Sequence, residues 1–283
     1  MKTYSKKTLV ACGCSHTAGA EIEKTYQPTC YDKAWPRHLS KLLNTESSIN
    51  LAFSGFSNKA IFRVMQNWVI ENVIIQKNYS PDDLVVTIQW THPGRWELYV
   101  PNPGDPEYDD NYPHNRMVSL NANWNFDLDN WSPVTKSELK KFLDYKLRNY
   151  NNLAEDFIML ELIVNMEKWL TSLGIENYHA NGISGLPGKN YVPDAYSRHP
   201  LKKNYLNLLE WYDKRKYHYA FLSHDKTYWR YYEKNEKFGY SSYSEGNHFG
   251  EDVHIDWAKK LYEFWFDPTL TEEKKEHYHS NQC

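Results

Sequence analysis

Hydrophobic and polar positions in the first ninety residues follow two alternating patterns. Short apolar runs without a helical period predict buried strands at residues 8–14, 49–53 and 83–89. Between these runs, apolar residues at helical spacing predict helices at 35–43 and 59–75. The alternation of strand and helix predicts an α/β fold, in which a parallel sheet has helices on its faces.

The rest of the chain combines helical periods with two irregular segments rich in Pro, Asn, Asp and aromatic residues. We expect these two segments to be insertions in a single domain of residues 1–283, because no linker or internal repeat is visible. The insertions are expected at about 96–135 and 181–243. The remaining elements are expected at 136–173 (two helices meeting near 149–152), 175–179 (a strand), 201–212 (a helix) and 251–266 (an amphipathic helix).

The composition excludes several classes of protein. Aromatic residues make up 16% of the chain although its mean hydropathy is −0.78, so it folds and carries much of its apolar surface on Tyr and Trp. A net charge of −3 argues against a general nucleic-acid binder, which needs excess basic charge. No apolar run approaches the roughly 20 residues that span a bilayer, and the N-terminus lacks a signal-peptide core. We expect a cytoplasmic protein with no membrane partner.

The four cysteines have no regular spacing, which does not suggest a disulfide framework. Cys12, Cys14 and His16 could suggest a metal site, yet the usual C-x₂₋₄-C spacing is absent. We expect neither a metal nor a cofactor.

Three polar turns follow the first three predicted strands, at residues 13–19, 54–58 and 90–95. Ligands of parallel sheets bind beyond the carboxyl ends of the strands. We therefore expect the three turns to lie along one edge and to contain the functional site.

Ser15 is the candidate nucleophile. It directly follows a predicted buried strand, so its hydroxyl would be held on rigid backbone with N–H groups facing a developing negative charge. A serine hydroxyl is a weak nucleophile until a base takes its proton. Taken alone, residues 13–17 have another explanation, because small residues also end strands for reasons of packing.

The candidate base is His248, in a turn before the last predicted helix. Glu245 lies three residues earlier, close enough in a turn to bond one imidazole nitrogen and leave the other facing a hydroxyl. Glu251 and His254 repeat the same spacing. Glu251 is more simply a first-turn acid of the helix, and His254 a packed or surface histidine.

With these motifs in view, the chain resembles the SGNH (GDSL-like) hydrolase superfamily. Gly13-Cys14-Ser15 is similar to the family's Gly-Asp-Ser turn, with Cys14 in the aspartate position. Gly55 stands where the family has the glycine of its oxyanion hole. Glu245 and His248 stand where it has Asp-x-x-His. The chain is also similar to SGNH-like proteins of phages and bacteria. This likeness implies that the chain could be encoded by a virus and act in the host cell.

The family's third motif, Gly-x-Asn-Asp, is the poor match, because residues 90–95 read Trp-Thr-His-Pro-Gly-Arg. The asparagine that would donate to the oxyanion is missing. Thr91 or His92 could take its place. Losing such a donor typically costs about 10²–10³ in kcat.

The resemblance implies a three-layer, flavodoxin-like parallel sheet and a serine ester hydrolase. Ser15, His248 and Glu245 would form the triad, and the N–H groups of Ser15 and Gly55 the oxyanion hole. Small acyl esters are the expected substrates, including an O-acetyl group on a glycan. An acyltransferase, or a non-catalytic module that binds a glycan or a protein, stays open on the same fold, as does the oligomeric state.

Four residues near the expected site are candidates for binding substrate. Arg95 could hold a carboxylate or phosphate, although a structural salt bridge fits equally. The aromatic residues of the first insertion could stack on sugar rings or pack on one another. The four candidates are His16, Asn58, Trp90 and Arg95.

Overall fold

The computed structural model describes residues 3–20, 22, 30–99, 117–121, 133–149, 152–183, 202–211, 217–218 and 248–267. These residues form an α/β fold with a central parallel sheet, as predicted. The strands are β1 Thr8–Cys12, β2 Ser47–Asn50, β3 Leu84–Trp90, β4 Arg95–Tyr99, β5 Met117–Asn121, β6 Glu176–Asn181 and β7 Tyr217–His218. The helices are α1 Ser15–Ala18, α2 Trp35–Leu43, α3 Asn58–Val69, α4 Pro133–Arg148, α5 Asn152–Ser172, α6 Lys202–Trp211 and α7 Glu251–Phe266.

The central sheet has the strand order β2-β1-β3-β6-β7, and all its neighbours are parallel. This is the flavodoxin-like arrangement: β2 is added on one side of β1 and the later strands on the other, so the topological switch point lies between β1 and β3. Thr8 pairs with Ser47 on one side and Leu84 on the other, so the three strands begin level, and their carboxyl ends lie within about three residues of one another because Asn50 pairs with Ala11 and Ile88 with Cys12. The turns that follow them therefore meet at one edge.

Alternate side chains of the central strands face two separate cores. Val86, Ile88 and Trp90 of β3 pack with α3, α5 and α6. Val85 of the same strand packs on the opposite face, with α2 and α7. Both faces of the sheet are covered by helices, which explains why every residue of β1 and β3 is buried and why their apolar residues do not alternate with exposed polar ones.

Local signals explain where the helices near the site begin. Ser57 caps α3, since its hydroxyl accepts from the N–H of Ala60 at 3.1 Å. Pro36 lies in the first turn of α2, where its missing N–H costs nothing. Glu251 and Asp252 lie in the first turn of α7, where the helix dipole favours acidic groups.

The structure corrects the sequence-based elements in three places. The predicted helix 59–75 is α-helical only to Val69 and continues as a π-helical turn at Ile70–Ile75. The first expected insertion contains an antiparallel hairpin, β4 with β5, instead of only irregular chain. The second contains the short strand β7, which was not predicted. Within the described residues, no helix is long and apolar enough to cross a membrane.

Candidate active site

Backbone and side-chain hydrogen bonds join the three turns at the carboxyl edge of the sheet. Asn50, the last residue of β2, donates its Nδ2 to the carbonyl of Thr17 at 2.7 Å. The N–H of Phe53 donates to the carbonyl of Gly13 at 3.4 Å. Asn58 at the start of α3 bonds to the backbone of Thr91 after β3. The expectation that these segments share one edge is confirmed by these contacts.

Ser15 begins the single helical turn α1 immediately after β1, and it is 5% exposed. Gly13 permits this tight turn. A Cβ at position 13 would collide with the side chain of Thr17 and lie 3.0 Å from the carbonyl oxygen of Gln89. The glycine therefore lets the serine turn press against the end of β3.

Gln89 anchors the serine turn to its surroundings. Its Oε1 accepts from the hydroxyl of Thr17 at 2.7 Å and from the indole Nε1 of Trp35 at 3.3 Å. All three side chains are fully buried, so both hydrogen bonds are shielded from water. The turn that carries Ser15 is thus tied to β3 and to the first residue of α2.

His248 lies beside the serine turn, although it is more than two hundred residues away in sequence. Its ring centroid is 5.0 Å from that of His16, the residue after Ser15, and Phe249 contacts the same ring at 6.0 Å. Within the described residues the Ser15 hydroxyl makes no hydrogen bond, to His248 or to any other group. The structure therefore places His248 beside the turn that carries Ser15, with no hydrogen bond between the two side chains.

His16 is 3% exposed and packed among positively charged or chargeable groups. Burial lowers its pKa well below the usual value, and His248, Arg95 and His254 lower it further. His16 is therefore neutral at pH 7. His16 was expected to bind substrate, but its ring is buried at the carboxyl edge of the sheet, against the ring of His248.

His254 lies four residues into α7, where its Nδ1 accepts from the backbone N–H of Trp35 at 3.2 Å. Burial lowers the pKa of His254 to about 3, and the neighbouring His38 and His248 contribute in the same direction. The neutral ring carries its proton on Nε2, because Nδ1 is the acceptor. His254 is a packed histidine that joins α7 to α2.

The groups expected to donate to an oxyanion occupy the turns after β2 and β3. Gly55 has φ 85°, a conformation that favours glycine, and a Cβ there would touch nothing within 4 Å. Thr91 is fully buried, its N–H is held by Asn58, and its Oγ1 has no hydrogen-bond partner in the described chain. His92 accepts from the N–H of Gly94 on Nδ1 at 2.9 Å, so Nε2 is its protonated nitrogen.

Two residues expected to bind substrate have structural contacts instead. Asn58 is 4% exposed, and both ends of its amide are paired with Thr91. Trp90 is fully buried in the core, and its Nε1 donates to Nδ1 of His179 at 3.1 Å. Trp90 therefore offers no surface to a substrate. Its position at the end of β3 suggested the site, but its side chain faces α5.

The acid of the predicted triad, Glu245, lies outside the described residues. Glu251, the alternative acid, lies 3.4 Å from Nε2 of His38 on α2. No cluster of three or more His, Cys, Asp or Glu side chains able to hold a metal ion is found in the described part of the chain.

Sequence reasoning missed the residues that hold the site together. Gln89 and Thr17 look like ordinary strand and turn residues, and their pairing depends on the register of β1 with β3. A polar Gln at the end of an otherwise apolar strand was the one available signal.

The chain matches the model of DUF6071, a family of unknown function, over residues 23–172, which is more than half of its length. No curated protein matches it. One similar solved structure is a carbohydrate esterase whose active site is described as having divergent catalytic and non-catalytic binding functions. It is 12% identical at a TM-score of 0.42, and the alignment covers 97% of this chain and 71% of that one.

A second similar structure is the acetyl xylan esterase Est2A from the rumen bacterium Butyrivibrio proteoclasticus. It is 12% identical at a TM-score of 0.43, and the alignment covers 92% of this chain and 63% of that one. At these scores, neither likeness carries an argument about the activity of this chain.

Proposed function

This chain belongs to the DUF6071 family of unknown function, and we propose that it is a serine ester hydrolase of the SGNH type. The observation that supports the proposal is the position of the His248 ring, 5.0 Å from the ring of His16 in the turn that carries Ser15. A serine on a rigid turn with an imidazole next to it is the arrangement that nucleophilic acyl transfer needs.

In the proposed reaction, Oγ of Ser15 attacks the acyl carbon of an ester while His248 takes the hydroxyl proton. The tetrahedral intermediate collapses as His248 returns that proton to the leaving alcohol oxygen, which leaves an acyl-serine. Water, deprotonated by His248, then attacks the acyl carbon and releases the carboxylic acid. A second hydroxyl compound in place of water would give acyl transfer by the same steps.

Glu245 is proposed to orient His248 by accepting a hydrogen bond from the ring nitrogen that faces away from Ser15. A carboxylate in this role also stabilises the imidazolium that forms when the serine proton is taken.

The oxyanion is proposed to be stabilised by the N–H groups of Ser15 and Gly55 and by the Thr91 hydroxyl. Two observations favour the hydroxyl over the backbone of Thr91. Asn58 already occupies the Thr91 N–H, and the buried Oγ1 lacks a partner among the described residues. The protonated Nε2 of His92 is the alternative donor at this position.

The proposed substrate is a small acyl ester, such as an O-acetyl group on a glycan. Tyr31 and Phe53 support this choice, since both rings are exposed near Gly55 and the Tyr31 hydroxyl bonds to the carbonyl of Ala52 at 3.0 Å. The exposed Tyr31 ring, whose polar tip is fixed, together with the apolar Phe53 ring suits contact with a partly polar, partly apolar ligand.

The experiment that tests the proposal is labelling with a fluorophosphonate probe, which reacts with activated serines. We expect the wild type to label, and Ser15→Ala and His248→Ala to lose labelling. Ser172→Ala, at an exposed position near the end of α5, is the matched control and should label like the wild type. Labelling that survives Ser15→Ala would overturn the assignment.

A non-catalytic binding module is the second candidate. It is favoured by the Ser15 hydroxyl, which makes no hydrogen bond within the described residues, and by the absent third-motif asparagine. Folded wild-type protein that does not label, but binds a glycan or protein, would favour this function over hydrolysis.

A further inference from the structure

A cleft with a cavity volume of about 130 Å³ lies between the start of α3, the start of β4 and the helices α4 and α5. Asn58 and Arg95 line it, and both belong to the carboxyl edge of the sheet on which Ser15 lies. The positive charge of Arg95 contributes to lowering the pKa of His16, which follows Ser15. The guanidinium therefore lies close to the serine turn. The cleft therefore adjoins the proposed active site.

Both carboxylates that line the cleft already have cationic partners. Glu97 accepts two hydrogen bonds from Arg63, each at 2.9 Å, and its side chain is only 3% exposed. Glu155 lies 3.4 Å from Nζ of Lys146, which also sits over the ring of Trp96 at 5.4 Å. Neither Glu97 nor Glu155 is therefore available to neutralise another cation in the cleft.

Arg95 and Lys59 are the remaining cations of the cleft, and neither pairs with a carboxylate within the described chain. Arg95 makes one long hydrogen bond, from Nη1 to the carbonyl of Phe56 at 3.4 Å. Its Nε is buried and has no acceptor there. A buried donor on a charged group is costly to leave unsatisfied, so the site favours an anionic acceptor.

The helices α4 and α5 also give the cleft an apolar surface beside Lys146 and Glu155. Its side chains are Phe142, Ile158, Met159 and Leu162. A cleft with an apolar surface and an unpaired guanidinium suits an organic group that ends in a carboxylate, since the planar guanidinium can bond both oxygens of a carboxylate.

We propose that this cleft binds a carboxylate carried by the ester substrate, with Arg95 as its principal partner and Lys59 as a second cation. The proposal rests on the proposed esterase function, because it names the class of ester that the site accepts. The carboxylate could lie on the acyl side, as in a succinyl ester, or on the alcohol side, as in an ester of a uronic acid.

The test is calorimetric binding to the Ser15→Ala protein, which needs no turnover. Monomethyl succinate is compared with dimethyl succinate, and the methyl glycoside of glucuronate with that of glucose. Each pair differs in one free carboxylate. We expect at least one acid to bind and its neutral match to bind at least tenfold more weakly. The pair that responds identifies the acyl or the alcohol side as the source.

Arg95→Met should raise the Kd of the bound acid about tenfold or more, because a charge-assisted contact is lost. Lys59→Met should raise the Kd less. Because Lys59 is exposed, this variant should fold and so keeps the proposal testable if Arg95→Met does not. Arg148→Met, whose exposed guanidinium bonds Asp144, is the matched control and should not change the Kd. Equal binding of acid and neutral ligand, no binding of either acid, or an unchanged Kd in folded Arg95→Met would overturn the proposal, whatever the labelling of Ser15 shows.

Discussion

The side-chain amide of Asn58 pairs with both backbone groups of Thr91. Its Oδ1 accepts from the Thr91 N–H at 2.8 Å, and its Nδ2 donates to the Thr91 carbonyl at 3.2 Å. The pairing continues the hydrogen bonding of β3 for one residue beyond the sheet, using a side chain in place of a strand. It fixes the backbone of Thr91 relative to the start of α3.

We expect Asn58→Ala to destabilise the protein by about 2–4 kcal/mol, because two buried backbone groups lose their partners. Asn58→Asp should be at least as damaging, since a carboxylate oxygen would face the Thr91 carbonyl. Urea denaturation measures both losses. If Thr91 acts in the oxyanion hole, kcat with a model ester should fall in Asn58→Ala protein that remains folded. Stability equal to the wild type in both variants would contradict the pairing.

Gly13→Ala should destabilise the protein by about 1–3 kcal/mol or more, because the added methyl group would collide with Thr17 and approach the Gln89 carbonyl. Labelling of Ser15 should fall with it, since the turn must move. Gly55→Ala is the useful comparison. The new methyl group there has open space, so we expect only the backbone cost of a positive φ, about 1–2 kcal/mol. Equal stability of Gly13→Ala and the wild type would disprove the close approach.

His254 should make the protein sensitive to acid. Its pKa is about 3 in the folded chain and near 6.5 when unfolded, so the unfolded state binds more protons between these values. Stability therefore rises with pH across this window and is lost as pH falls. Replacing His254 should make the plot of unfolding free energy against pH shallower, by up to about 1.4 kcal/mol per pH unit. Denaturation at pH 4, 5, 6 and 7 measures the change.

Two variants separate the titration of His254 from its hydrogen bond. His254→Asn and His254→Leu both remove the titration, but only asparagine keeps an acceptor for the Trp35 N–H. At pH 7 we expect His254→Leu to lose about 1–3 kcal/mol more than His254→Asn. Identical stability of the two would show that the bond contributes nothing.

Asp156 on α5 should act in the opposite direction. Burial raises its pKa to about 7, with a smaller contribution from Glu155. Between the unfolded value near 3.9 and pH 7, the folded state binds the extra proton, so stability falls as pH rises. Asp156→Asn should remove this loss and be more stable than the wild type at pH 8. Glu155→Gln should lower the pKa of Asp156 and so narrow the pH range over which stability falls. An Asp156→Asn protein that loses stability between pH 5 and 8 as the wild type does would refute the prediction.

The first half of the fold could be predicted from the sequence because each element there has a strong local signal. The run 84–90 is apolar without a helical period, and Trp35–Leu43 has apolar residues on one side only. The hairpin of β4 and β5 was missed because its strands are separated by a long segment without pattern. The alternation in Arg-Trp-Glu-Leu-Tyr at 95–99 was a local signal for β4.

The site could be predicted only in part. The roles of Ser15 and His248 stay predictions from their turn positions and from a family resemblance, and the structure places the His248 ring against His16, next to Ser15 in sequence. The roles of Asn58 and Trp90 could not be found, since they depend on which way each side chain leaves its backbone. Asn58 turns inward to Thr91, and Trp90 turns toward His179 in the core.

Trp35 bonds to two distant parts of the chain at once. Its indole donates to Gln89, and its backbone N–H donates to His254. These contacts span 54 and 219 positions, so neither can form until chain segments far apart in sequence have met. Contacts of such long range form slowly. During synthesis the serine turn and β3 can assemble early, while His248 arrives only with α7. If His248 acts on Ser15 as proposed, the site is complete only once α7, the last helix of the described residues, has joined the sheet, and reactivity at Ser15 reports that late step of folding.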